Sequence, residues 1–531
     1  MTHAPVTNRP RGGAVAVAAG IMLSRVFGLV RQRVVGHFLG VGDSADVLSA
    51  ALRIPNVLQN LLGEGVLSAS FVPVYARLRA QGRDEDAGRL ARAIFAALAL
   101  VCAGAVLVGV MFAPALVAVI AGGFDPAKQD VTERLVRILF PAMGVLVLSA
   151  WCLGVLNAHR RFFVSYAAPV VWNLAIIAIV MLRGTTADAA GAAQLVAVGA
   201  VIGSVLQFGV QLPWIVRTLP RRVEGRGRPV PEFRTVVANF GPVVLGRGVV
   251  QLSGWLDTLI ASFVMPGAAA VLLYAQNISM LPVSVFGMSV SASELTEMSE
   301  QSPEAVAAAI RNRMERSLRT IAFFVVPSAA TLFVLGDVVA GAILQTGSFD
   351  RTDTEWVWAV LAGSSVGMLA STMGRLYNSA WYALHDTRTP VRIALIRIAI
   401  AASLGSVAAL LLPGWLGLDA RWGVAGLTAS AGVAAWIEFA LLQRKLNARI
   451  GRTGLPAGFL PRLWSSAAVA CVAGFGLKLA LGPAHPVMVG VVVLGAVAVI
   501  YLAATRAFAV SEATAVIARF RQRRPTSGGD R

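Results

Sequence analysis

Residues 24–79 are apolar enough for a membrane, yet Arg25, Arg31, Arg33, Asp46, Arg53 and Glu64 interrupt them. From Asp46 onward, Asp46, Ser49, Arg53, Asn56, Asn60, Glu64 and Ser68 recur at steps of three and four. That spacing puts them in one stripe along a helix. Lipid does not solvate such a stripe, so it faces protein or a water-filled cavity. A second stripe runs through Arg247, Gln251, Gly254, Thr258 and Ser262, and a third series, Asn277, Ser284 and Ser291, advances by seven. The chemistry on offer is electrostatic, because guanidinium forks pair with phosphate or carboxylate bidentately. A cavity shared by these helices is positive near Arg25, Arg31, Arg53 and Arg247, and suits an anionic, phosphate-bearing ligand. The candidate binding residues are Arg25, Arg31, Asp46, Arg53, Asn60, Glu64, Arg247, Gln251 and Asn277, with Gly63 and Gly65 as hinge candidates.

Nothing pairs a nucleophile with a base. His3, His37, His159, His385 and His485 fall mostly at loops or helix ends, without metal-ligand spacing. Cys102, Cys152 and Cys471 sit in apolar runs without CxxC spacing and read as small core residues. No GxxxxGK[ST] loop is present, so neither a nucleotide nor another cofactor is expected. The reading is not an enzyme. Energy comes from a gradient, the membrane potential or a downhill substrate.

The elements that carry these residues are membrane helices. The 531-residue chain is 57% hydrophobic and only 14% charged, against roughly 25% charged in soluble proteins. The pattern predicts an all-α polytopic membrane protein with 14 transmembrane helices. They fall near 14–39, 46–76, 90–121, 134–157, 166–182, 192–216, 235–264, 268–298, 317–342, 355–384, 390–412, 422–443, 460–481 and 486–506. Lys and Arg number 46 against 27 Asp and Glu, a formal charge of +19. This excess reports topology and not nucleic acid, because it clusters in alternate loops: 77–92, 159–161, 217–234, 311–319, 385–392, 443–452 and the tail at 519–524. The positive-inside rule places these loops and both termini in the cytoplasm.

The chain also repeats itself. Leu23-Ser-Arg25 recurs as Leu245-Gly-Arg247, and Val47-Leu48 as Val271-Leu272. Leu67-Ser-Ala-Ser recurs as Val290-Ser-Ala-Ser, Gly122-Gly-Phe-Asp125 as Gly347-Ser-Phe-Asp350, and Asn157 as Asn378 before a Pro-Val. The offsets lie between 221 and 225. An offset of six helices implies a parallel, pseudo-two-fold repeat. The expected organisation is a cytoplasmic tail at 1–13, an N-lobe at 14–217, a linker at 218–233 and a C-lobe at 234–443. A loop at 444–459, two appended helices within 460–506 and a basic tail at 507–531 complete it.

Ser24-Arg-Val-Phe-Gly-Leu-Val-Arg31, Ala45-Asp46, Pro55-Asn56, Gly63-Glu-Gly65 and Ser70-Phe-Val-Pro73 resemble the start of the MurJ (MviN) family of the MOP exporter superfamily. Asp386-Thr387 and Thr389-Pro390 match it too. The resemblance implies a bacterial inner-membrane flippase that moves lipid II, the peptidoglycan precursor, outward through V-shaped lobes by alternating access. It implies that cavity arginines grip the diphosphate and that the last two helices form a groove for the lipid tail. Its implied partners are lipid II, membrane lipids and cell-wall synthesis proteins.

The chain departs from the family pattern at Gln59 and Asn60, where members carry basic residues, and at Gln276-Asn277, where they carry an Asp-Arg pair. Arg247 is expected to replace the missing positive charge. Some members hold sodium beside a helix-7 carboxylate, which Asp257 matches. Helix 11 here offers no Asn or Asp, so Arg397 is expected to neutralise Asp257 in place of sodium. Two alternatives stay open. One is a MATE-like or polysaccharide-repeat exporter, which for organic cations would need cavity carboxylates. The other is a non-transporting scaffold, which would need no charges at membrane depth.

Overall fold

The computed structural model describes residues 11–220, 231–283, 303–384, 386–482 and 484–514. Ser284, the 290–293 motif with Ser291, Glu294, His385, linker residues 221–230 and the basic run 519–524 lie outside the described residues. Within them the fold is all-helical. Its one departure is an isolated bridge between Thr346 and Phe349.

Two compact units divide the chain. The first comprises Met1–Ser262 with Thr346–Phe349, and the second Phe263–Gln345 with Asp350–Arg531. The first holds α1 (Arg11–Leu39), α2 (Asp43–Leu62), α3 (Glu64–Ser70), α4 (Val72–Ala80) and α5 (Asp84–Met111). It continues with α6 (Ala113–Ile120), α7 (Pro126–Ala158), α8 (Phe162–Arg183), α9 (Ala189–Thr218) and α10 (Pro231–Ser262). The second holds α11 (Ala268–Pro282), α12 (Pro303–Leu344), α13 (Arg351–Ala383), α14 (Arg388–Ser406), α15 (Trp422–Ile450), α16 (Phe459–Leu481) and α17 (Pro486–Ala507). The contact boundary follows Ser262, not the 218–233 linker. Thus α10, expected to open the second lobe, packs on α2, α3, α5 and α6.

Eleven described helices are long and apolar enough to cross a membrane. One of them, Asp43–Ala80, joins α2, α3 and α4. Neither α1 nor α10 is among the eleven, and α11 is a shorter apolar helix. The polytopic all-α class therefore holds, while the count of fourteen is not established by the described residues.

Each unit is built around its most buried span, α7 in the first and α13 in the second. The repeated Gly-x-Phe-Asp motif starts both. The Asp125 carboxylate accepts from Lys128 N at 3.0 Å, and Pro126 follows where no N–H is needed. The Asp350 carboxylate accepts from Asp353 N at 2.8 Å, and Asp353 accepts in return from Asp350 N at 3.4 Å. Phe124 and Phe349, one residue earlier, are buried.

Lipid tails are as apolar as Leu, so helix association in a membrane leans on close packing and polar clamps. Ser149 Oγ on α7 donates to Gln211 Oε1 of α9 at 2.8 Å, and Gln207 Nε2 donates to Ser149 Oγ at 2.8 Å. In the second unit, Gly367 and Gly432 let α13 and α15 touch backbone to backbone. The last two helices lie on α12. Lys478 pairs with Asp337, Arg319 with Glu512 at 2.7 Å, and Tyr501 Oη donates to Phe323 O at 2.7 Å.

Asp386 precedes α14 and accepts from Thr389 N at 3.0 Å and from Thr389 Oγ1 at 2.9 Å. The Thr389 N–H chiefly holds this carboxyl below its ordinary range, helped by the Thr389 hydroxyl and more weakly by Arg449. A depressed carboxyl stabilises the fold above its unfolded pKa and loses that contribution as pH falls through the folded value. Asp386→Ala is expected to cost about 0.5–2 kcal/mol at neutral pH, the range for a lost cap. Its thermal midpoint should converge with the wild type's below pH 4. A constant gap across pH would exclude the ionised cap.

Candidate functional site

The second span opens progressively along its polar stripe. Asp46 and Ser49, in its first turns, are buried, while Arg53 and Asn60 are half-buried. Asn56, Glu64 and Ser68 are exposed. Helix α2 ends at Leu62, Gly63 caps it in an extended conformation in which a Cβ would meet the backbone oxygen of Gln59, and α3 restarts at Glu64.

Asp46 departs from the expected cavity wall. It is 1% exposed and pairs with Lys128 Nζ at 2.7 Å, which also reaches Asp43 at 2.8 Å. Lys128 comes from the first turn of α7 and stacks over Phe124, 4.1 Å from the ring centroid. The pair closes one end of the stripe and fastens α2 to the central helix. No sequence spacing announces it, since the partners are 82 residues apart.

Arg53 and Arg247 are seated differently. The Arg53 guanidinium occupies the space that a side chain on Gly254 would need, and it lies within electrostatic reach of Asp257. The Arg247 guanidinium likewise covers Gly65, within reach of Glu64. Each arginine thus crosses between the second span and α10, rests on a glycine and faces a carboxylate beside it. Gln251 is half-buried on α10 between the two. Glu64 also acts on Tyr166 of α8, whose hydroxyl accepts from Asn157 Nδ2 at 3.4 Å.

Arg25 and Arg31, on α1, are half-buried and form no ion pair with described residues. Arg31 stacks over Trp172 at 4.7 Å, an attraction worth about 0.5–2 kcal/mol that leaves the N–H edge free to donate. Asn277 is half-buried on α11 of the second unit. Tyr166 and Trp172 carried no spacing signal. Gly254 did stand in the α10 stripe, but only the fold makes it a seat.

Arg397 pairs with Glu438 at 3.2 Å inside the second unit, and Asn378 donates to Glu438 as well. Asp257, in the first unit, lies within electrostatic reach of Arg53. Helix α14 meets α15 along its length, so Arg397 satisfies the carboxylate that α15 presents to it.

A polytopic all-helical bundle whose first unit seats Arg53 and Arg247 over glycines is the frame that the comparisons extend. The chain belongs to the MurJ family: residues 35–513 match the family described as lipid II flippase MurJ. It is 31% identical over 396 residues to a probable lipid II flippase MurJ of Rhizobium tropici, covering 73% of this chain and 74% of that one. It is 28% identical over 459 residues to a probable lipid II flippase MurJ of Vibrio cholerae, covering 84% and 85%. Among solved structures, a lipid II flippase MurJ in an inward closed conformation shares the fold. The TM-score is 0.73 and the identity 19%, over 93% of this chain and 98% of that one. An inward-facing MATE family multidrug resistance transporter of the MOP superfamily shares it more distantly, with a TM-score of 0.61 and 14% identity over 82% and 98%.

Two predictions follow from this geometry. Lys128→Met leaves Asp46 buried without its cation and is expected to cost about 3–5 kcal/mol. A thermal midpoint within one degree of wild type would exclude the clamp. Gly65→Ala and Gly254→Ala push a flexible guanidinium aside and leave backbone untouched. Both are expected to keep the wild-type midpoint yet bind farnesyl diphosphate about tenfold more weakly, a loss of ~1.4 kcal/mol. Unchanged affinity, read by titration in nanodiscs, would show that the seats do not position the arginines for an anion.

Proposed function

We propose that this chain is a lipid II flippase. It moves the undecaprenyl-diphosphate-linked precursor from the cytoplasmic to the outer leaflet of the bacterial inner membrane for cell-wall synthesis. The observation that carries the reading is the arginine set of the first unit, in a chain that belongs to the MurJ family. Arg25 and Arg31 offer guanidinium groups with no described carboxylate partner. Arg53 and Arg247 are each held beside a carboxylate that an incoming diphosphate displaces.

The exchange is chemically balanced. A bare guanidinium at membrane depth costs several kcal/mol, so it needs an anion in every state. Asp257 and Glu64 serve when the site is empty, and the diphosphate serves when it is loaded. Arg forks grip a diphosphate bidentately, and this geometry disfavours the organic cations of MATE-type exporters. Asp257 is engaged by an internal cation in this scheme, so transport needs no sodium. Gly63 and Gly65 bracket the break in the second span and serve as its hinge, with the chain alternating access across it.

The second unit supports a place for the lipid tail. An apolar cavity of about 460 Å³ lies among α11, α12 and α17, lined by Ile278, Pro282, Phe323, Pro327 and Tyr501. A polyprenyl chain matches its chemistry. Both termini and the basic loops lie in the cytoplasm by the positive-inside rule. Cell-wall synthesis proteins are the partners that would use the exported precursor.

Cells depleted of their own lipid II flippase provide the test. The wild-type chain is expected to restore lipid II export, and Arg25→Ala and Arg53→Ala to abolish it at equal membrane abundance. Each loss removes a charge-assisted contact of about 1.5–3 kcal/mol, equivalent to roughly 10–100-fold in lipid II affinity. Rescue by both variants at wild-type level would remove the arginine mechanism. Failure of the wild-type chain itself would remove the substrate.

A further inference from the structure

A cavity lined by basic residues lies apart from the polar stripes of α2 and α10. At one end of the first unit, this cavity of about 700 Å³ is walled by Tyr75, Arg79, Asp84, His159, Arg161 and Arg217. These residues come from three separate basic segments: the end of α4 with the following turn, the α7–α8 turn, and the end of α9. Three guanidinium groups face it against one carboxylate, so the cavity is positive.

Its walls are built and not merely crowded. Arg79 Nη1 donates to Ala158 O at 2.9 Å, while its Nε is buried without a hydrogen-bond partner, 3.5 Å from Asp84. Tyr75 Oη and His159 Nε2 lie 2.9 Å apart in a shared hydrogen bond. Arg161 stacks over Trp214 at 5.4 Å. The turn that presents His159 and Arg161 passes through Arg160 at φ +58°, a left-handed conformation that non-glycine residues seldom adopt. Backbone strain of this kind persists where the surroundings hold it in place. Burial, then Arg79, with Arg161 adding to them, pushes the His159 imidazole down to about 4. It is therefore neutral at physiological pH, and the cavity's positive charge is carried by guanidinium alone.

One wall says what kind of anion fits. Val216 lines the cavity from α9 and ends an apolar stripe of Val198, Ile202, Val205, Leu212 and Val216, all exposed. Spacings of four, three, seven and four keep them on one face of the helix. A soluble phosphate ester uses the basic cavity and ignores that stripe. A phospholipid uses both, with its phosphate in the cavity and its acyl chain along α9. Basic loops also mark the leaflet that is rich in anionic lipid.

We propose that this cavity binds the phosphodiester headgroup of an anionic glycerophospholipid, with Arg161 and Arg217 as its principal ligands and the α9 stripe as its chain track. The site is separate from the lipid II reading, because its test measures lipid retention and not export.

The probe is phosphatidylglycerol, bound to the full chain in phosphatidylcholine nanodiscs. Arg161 and Arg217 are both exposed, so Arg161→Gln/Arg217→Gln is expected to fold. Arg444→Gln/Lys445→Gln removes the same charge from an exposed stretch of the second unit and serves as control. The pocket variant is expected to retain phosphatidylglycerol about tenfold more weakly, with the control and wild type alike. The single variant Arg217→Gln should give an intermediate loss, and it carries the test if the double variant is unstable. Equal retention by all chains would overturn the site. Equal loss by pocket variant and control would also overturn it, reducing the effect to surface charge. A soluble arm uses glycerol 3-phosphate. Weak or no displacement of the lipid at millimolar concentration supports the proposal, whereas displacement at micromolar concentration would identify a soluble ester as the ligand.

Discussion

A guanidinium group inside a membrane-spanning bundle must always have company, because hydrocarbon offers it neither water nor counter-ion. The first unit meets this constraint in two ways. Arg31 lies on an aromatic face. Arg53 and Arg247 each lie on a glycine beside a carboxylate of the same pair of elements. Arg25 and Arg31 keep their N–H edges uncommitted to any described carboxylate. Strong, closed pairs would hold the helices together but would leave nothing for a ligand.

The contrast within one helix makes the point. Asp46 and Arg53 stand seven residues apart in one stripe. Asp46 is locked by Lys128 from the central helix, with both side chains nearly dry. Arg53 leans on a bare backbone position. The first fastens α2 to α7, and the second spans from α2 to α10. Between them, α2 turns from sealed to open, and the break at Gly63 lets α3 turn its own face to α10.

The second unit handles its charges by closure. Arg397 meets Glu438, Lys478 meets Asp337, and Arg319 meets Glu512. These pairs join α14 to α15 and the last two helices to α12, where lipid supplies no hydrophobic drive for association. The apolar cavity under α17 lies within that framework. Closed ion pairs thus join helices within this unit, as Lys128 and Asp46 do in the first.

Sequence by itself determined the polytopic all-α class, because hydropathy is a local property of the chain. It also showed one motif that recurs at a matching place in the fold. The Gly-x-Phe-Asp motif marks the start of the central helix in both units, since helix capping needs only neighbouring residues. Arg25, Arg31, Arg53, Glu64 and Arg247 were legible as charges out of place, because a membrane span makes any charge conspicuous. Their partners were not legible. Lys128 for Asp46, Arg53 for Asp257 and Glu438 for Arg397 are pairings between distant segments, set by which helices pack together. The glycine seats belong with them. A glycine's meaning depends on what lies over it, and only the packed fold places a guanidinium there.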